Sequence, residues 1–161
     1  MTDAPSFARR HPVPAFLVCL AVVTAIASLG ALFPPAGWYA GLAKPGFNPP
    51  NWVFGPAWTT LYLMIATATW LLWRAPAGPA RRRALGLNAA QLALNAAWTP
   101  LFFGLQAPGL ALGCIVLMWL AILATILAAW RVSRPAAWLL VPYLAWVGFA
   151  TVLNASIWWL N

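Results

Sequence analysis

From Ala84 to Trp130 the chain carries no Asp, Glu, Lys, Arg or His. Water-soluble folds break up apolar segments with charge, so a stretch of this kind belongs inside a bilayer. It is too long for one crossing, which takes about 20 residues at a rise of about 1.5 Å each. Gly104-Leu105-Gln106-Ala107-Pro108-Gly109 supplies a turn near its middle. The stretch therefore divides into Ala84 to Phe103 and Leu110 to Trp130. Two further stretches, His11 to Lys44 and Lys44 to Arg74, contain Ala15 to Phe33 and Trp52 to Trp73, and Ala136 to Leu160 completes the set. The expected fold is all-α: a polytopic membrane protein with a five-helix transmembrane bundle, one domain over residues 1–161. Composition agrees, with 64% apolar residues, 6% charged and a mean hydropathy of +0.83. That excludes an ordinary cytoplasmic enzyme and a disordered chain. A pI near 11.3 alone would suit nucleic acid, but charges this sparse fit basic loops beside membrane spans, and no nucleic-acid partner is expected.

Five spans put the N-terminal tail and the second and fourth loops on one side. That side holds Arg9, Arg10, Arg74, Arg81, Arg82, Arg83, Arg131 and Arg134, against Lys44 alone on the other. The bias predicts a cytoplasmic N-terminus and an external C-terminus, and it explains the Arg81–Arg83 cluster as a topology signal. Arg9 and Arg10 before an apolar run resemble a signal peptide, but that run exceeds the roughly 7–15 residues of such a segment and more spans follow. Cys19 and Cys114 fall within predicted spans, so no disulfide is expected.

The longest segment between spans, Phe33 to Asn51, contains Pro34, Pro35, Pro45, Pro49 and Pro50. Prolines fix φ and remove donors, so the loop is stiff and not helical throughout. Two readings are open: a lid using Trp38, Tyr39 and Phe47 as cover, or an interfacial belt of aromatic residues.

Polar side chains at membrane depth need partners. Asn88, Gln91, Asn95 and Thr99 share one face of the third span, with Trp98 beside them. Tyr143, Trp146, Ala150 and Asn154 share a face of the fifth, and Trp58, Tyr62, Ile65 and Thr69 a face of the second. As glue between helices each polar contact contributes about 0.6–2 kcal/mol. Trp58, Trp98 and Trp146 are too bulky for close helix contact, so a ligand pocket suits those faces better, with Asn88 and Gln91 the best candidates for glue. Gly86 and Ala90, and Ala89, Ala93 and Ala97, form small-residue patterns suited to close packing, within the chain or in a homodimer through the third helix.

After Asp3 there is no carboxylate, and His11 is the only histidine. No metal site, cofactor or catalytic residue is therefore expected, since acid–base work needs a group that titrates near working pH. What remains is reversible binding of a flat apolar ligand, or chemistry carried by the ligand itself.

The run Lys44-Pro45-Gly46-Phe47-Asn48-Pro49-Pro50-Asn51-Trp52-Val53-Phe54, then Trp58 and Leu61-Tyr62, resembles the first-loop and second-helix signature of the translocator protein family. That family comprises bacterial tryptophan-rich sensory proteins and the mitochondrial peripheral-type benzodiazepine receptor. Gln91 to Phe103 resembles its third helix, and Pro142-Tyr143-Leu144-Ala145-Trp146 with Ala150-Thr151-Val152-Leu153-Asn154 its fifth. The resemblance implies a five-helix bundle, often dimeric, with a pocket beneath the first loop for porphyrins, haem precursors and benzodiazepine-site drugs. Carried over by position, the pocket residues are Gly30, Tyr39, Pro49, Phe54, Trp58, Tyr62, Asn95, Trp98, Trp146, Ala150 and Leu153. The mitochondrial sterol motif needs a Tyr followed by Lys or Arg, and Asn154 to Asn161 has neither, which puts a sterol-like lipid in doubt. Three functions stay open: a porphyrin-binding receptor or carrier, a light- and oxygen-dependent porphyrin-degrading protein, and a structural membrane partner without ligand.

Overall fold

The computed structural model describes residues 7–33 and 37–161. Its elements in chain order are α1 (Phe7–Arg10), α2 (Pro12–Ala31), α3 (Trp38–Gly41), α4 (Asn51–Arg74), α5 (Pro79–Thr99), a π-helical turn (Pro100–Gly104), α6 (Pro108–Trp130) and α7 (Arg134–Leu160). No strand occurs among the described residues. The chain is an all-helical membrane protein. Prolines set most of the starts: Pro12, Pro79, Pro108 and Pro135 sit in the first turns of α2, α5, α6 and α7. There the missing N–H has no helical partner to lose. Ser133 caps α7, its hydroxyl accepting from the Ala136 amide at 3.4 Å.

Helix α5 begins at Pro79 rather than Ala84, so Arg81, Arg82 and Arg83 lie in its first turns. Charge ends the apolar stretch but not the helix, because arginine is a good helix former at the membrane surface. At the other end Pro100 cannot continue the regular ladder. The Leu105 amide reaches back to the Pro100 carbonyl at 2.8 Å, closing the wider turn. Gly104 lets the turn approach Phe33 closely: a Cβ would stand 2.8 Å from that ring and push it aside.

The long helices form a ring. α2 packs on α4 and α5, α4 on α7, α7 on α6, and α6 back on α5. Ile65, Leu72, Ile115, Met118, Ile122, Leu140, Tyr143 and Val147 fill the interior, while Leu17, Val22, Leu117, Leu127 and Val152 face outward. An apolar exterior is what lipid requires. Three of the long helices, α2, α6 and α7, are long and apolar enough to cross a membrane. α4 and α5 match them in length, at 24 and 21 residues, but carry more polar groups.

Threonine hydroxyls along the helices are satisfied locally. Hydroxyls of Thr59, Thr60, Thr67, Thr69, Thr125 and Thr151 each donate to the carbonyl one turn back, at 2.7 to 3.0 Å. This back-bonding lets a hydroxyl sit at membrane depth without a partner helix. Cys19 and Cys114 are free thiols, both buried.

Candidate functional site

Side chains from every long helix converge on a cavity of about 330 Å³ at the end of the ring nearest the first loop. That volume falls within the roughly 300–1,000 Å³ of small-molecule pockets. α4 contributes Phe54, Trp58 and Tyr62, four residues apart and so on one stripe. α5 supplies Asn95, Trp98 and Thr99, and the π-helical turn adds Phe102 and Phe103. From α7 come Trp146, Ala150, Leu153 and Asn154, and α2 brings Gly30.

The rings form a connected wall. Trp58 stacks on Tyr62 with centroids 5.3 Å apart and meets Trp146 edge-on at 6.5 Å. Phe54 meets Trp146 edge-on at 6.0 Å, and Trp98 stacks on Phe102 at 5.0 Å. Such pairings fix ring planes beyond what area burial alone provides. Polar fixtures are few and mostly engaged. The Asn95 Nδ2 donates to the Tyr143 hydroxyl at 2.9 Å, and the Tyr62 hydroxyl donates to Asn95 Oδ1 at 3.1 Å. Trp98 Nε1 donates to Asn154 Oδ1 at 3.1 Å, while Asn154 Nδ2 donates to the Pro108 carbonyl at 2.8 Å. The indole N–H of Trp146 is buried without a partner.

The polar stripe of α5 thus divides. Asn88 donates to Thr69 Oγ1 at 3.0 Å and accepts from Gln91 at 3.2 Å, away from the cavity, tying α5 to α4. Asn95 and Thr99 face the hollow. Ile65 and Thr69, on the predicted face of α4, lie in the packed part of the ring.

The loop packs on the open end. Tyr39 lines the cavity and meets Phe103 and Phe102 edge-on at 5.4 and 6.1 Å. Trp38 meets Phe102 at 5.8 Å. Burial pushes the Tyr39 phenol up from its ordinary value. Lys44 lies 4.6 Å over the Tyr39 ring and donates to the Ala40 and Leu42 carbonyls. Asn161, at the end of α7, holds the loop by two bonds: its Oδ1 accepts from the Ala43 amide at 3.0 Å, and its Nδ2 donates to the Ala43 carbonyl at 3.1 Å. Pro34 and Pro35 lie outside the described residues.

Every site residue expected from sequence lines the cavity except Pro49. Pro49 sits in the loop, its carbonyl accepting from Asn48 Nδ2 at 3.1 Å. Phe33, Phe102, Phe103, Ile115 and Met118 are lining residues that sequence reasoning did not single out. Phe102 and Phe103 are brought in by the π-helical turn, whose register no helical count anticipates, and Phe33 follows the end of α2. Ile115 and Met118 stand in a uniformly apolar helix with no marker. Among the described residues no group of three His, Cys, Asp or Glu could hold a metal. What the arrangement offers is an aromatic-lined hollow with a few oriented donors and acceptors.

Residues 9–160 match the family model described as the TspO/MBR family. The chain belongs to the TspO/MBR family. It is 47% identical to the human translocator protein over 123 residues, which is 75% of this chain and 73% of that one. It is 43% identical to the tryptophan-rich protein TspO of Chlorobaculum tepidum, over 89% of this chain and 94% of the relative. To the tryptophan-rich sensory protein of Cereibacter sphaeroides it is also 43% identical, over 91% and 90%. The TspO/MBR match takes in the first-loop run from Lys44 to Phe54 and both tryptophan-bearing faces of α4 and α7.

Proposed function

We propose that this TspO/MBR protein is a membrane receptor or carrier that binds porphyrins, haem precursors and related flat apolar ligands in the cavity beneath the first loop. One observation carries the reading: Trp58, Trp98 and Trp146 all face a single hollow whose remaining polar groups are uncharged. A tetrapyrrole presents two broad aromatic faces, which such walls stack against, and a polar edge that a spare donor can meet. The Thr99 hydroxyl on the cavity lining is such a donor. We place the cavity in a single unit crossing the bilayer five times, through α2, α4, α5, α6 and α7. Its arginine-rich end lies in the cytoplasm, and the C-terminus lies outside. Gly86, Ala89, Ala90 and Ala93 are exposed on α5 and suit a second copy of the chain packing there, while membrane lipid covers the rest.

The test is spectroscopic. Protoporphyrin added to purified protein in detergent should show a shifted, saturable Soret band at about one porphyrin per chain, the stoichiometry of a single buried site. A spectrum identical to that in empty micelles sinks the reading.

A second reading has its own observation. Trp58 and Trp146 lie edge to face at 6.5 Å on the same wall, close enough to exchange an electron with a photoexcited porphyrin stacked against that wall. The porphyrin would then be consumed in light and oxygen, with no titrating residue involved.

A further inference from the structure

Outside the ring, between α4 and α7, lies a second hollow of about 710 Å³ on the membrane-facing surface. Trp52, Pro56, Ala57 and Thr60 form one wall, and Pro142 and Ala145 lie on the other. The Thr60 hydroxyl is turned back onto the Pro56 carbonyl at 3.0 Å, so the groove presents an apolar surface to lipid. Trp146 borders both hollows. Its side chain is the partition between groove and cavity. Pro56 and Pro142 each delete a ladder bond from the helix that flanks this partition, which makes a local bend cheaper there.

The two ways into the cavity are secured differently. At the loop end, Asn161 holds Ala43 through two hydrogen bonds, and Tyr39 is wedged against Phe103 beneath Lys44. At the side, Trp146 packs on the rings of Phe54, Trp58 and Phe149 and on the apolar core, and its N–H is unpartnered. Opening the loop breaks hydrogen bonds; turning Trp146 breaks none. A flat apolar ligand is also concentrated in the bilayer rather than in water. We propose that ligand enters and leaves the cavity laterally, from the lipid between α4 and α7, with the Trp146 side chain as the gate. This rests on the reading of the cavity as a porphyrin site.

Ala57 and Ala145 line the groove and not the cavity, so bulk at either position obstructs the route without touching the site. Stopped-flow uptake of protoporphyrin by the full chain in lipid nanodiscs reads both rates. Ala57→Phe and Ala145→Phe should slow association and dissociation together by about tenfold while the Kd stays within about twofold, as for a blocked path to an intact site. Asn161→Ala, which releases the loop, should leave both rates unchanged. Plugged variants that bind at the wild-type rate overturn the lateral route. So does faster uptake by about tenfold in Asn161→Ala, a readout that decides the matter even if a plugged variant misfolds. No saturable uptake by the wild type overturns the porphyrin reading itself, and the route with it.

Discussion

The amide of Asn95 donates to the Tyr143 hydroxyl at 2.9 Å, joining α5 to α7 across the middle of the ring. The same side chain accepts from Tyr62 on α4, so one buried asparagine links three helices at the floor of the cavity. Lipid tails supply no hydrophobic force to hold helices together, and packing with interhelical hydrogen bonds does that instead. Asn95→Leu leaves both phenols without their amide partner and should lower thermal stability in detergent by about 1–3 kcal/mol. Gln91→Leu should cost less, because Gln91 Oε1 is already unpartnered and its amide bonds only within its own helix. Equal losses in the two variants would place the load on the wrong residue.

Much of this arrangement is readable from residue order. Charge-free stretches mark the five long helices, and the spacing of Asn88, Gln91, Asn95 and Thr99 gives the inward face of α5. What spacing does not give is where along a face packing stops and the hollow begins. Asn88 and Asn95 are equivalent by period, yet one meets Thr69 and the other lines the cavity, because the separation between helices sets that boundary. The π-helical turn is likewise hidden: Pro100 signals an interruption, but whether the helix kinks, stops or widens depends on the neighbours that receive Phe102 and Phe103. Residues in a uniformly apolar helix, such as Ile115 and Met118, carry no pattern to distinguish cavity from core.

Topology offers a direct check. With arginines concentrated at one end of the bundle and Lys44 at the other, reporter fusions should find the N-terminus in the cytoplasm and the C-terminus outside. The reverse result at both ends would show that the arginines do not set the orientation.

Loop closure should respond to ligand and to alkali. Amide exchange at Trp38 to Phe47 should slow when protoporphyrin is bound, while the turn at Ala75 to Gly78 stays unchanged. Burial raises the Tyr39 pKa above its ordinary value of 10.0, so the folded loop favours the neutral phenol. The contribution of Tyr39 is therefore fully present below pH 10 and is lost as pH climbs through the raised value. Acrylamide quenching of tryptophan should stay flat up to pH 10 and rise only beyond it. Quenching that rises between pH 6 and 8 would assign loop closure to another group.

The light-dependent reading separates cleanly from simple binding. Bound porphyrin should survive in the dark without oxygen, and any loss under illumination should show no bell-shaped pH profile. If loss in light is the same in Trp58→Phe and Trp146→Phe as in the wild type, the protein only contains the pigment. Loss in the dark would require a catalytic group other than Trp58 and Trp146.

A porphyrin seated in the aromatic hollow between α4, α5 and α7 would lie against Trp146. Fluorescence titration of the wild type, Trp146→Ala and Trp119→Ala with protoporphyrin tests that placement most directly. Trp146 lines the cavity, whereas Trp119 packs against Gly148 between α6 and α7 and lies outside it. Binding should weaken by about 1–3 kcal/mol in Trp146→Ala, the worth of a buried aromatic contact, and change little in Trp119→Ala. Equal effects in the two variants, or none in Trp146→Ala, would contradict it.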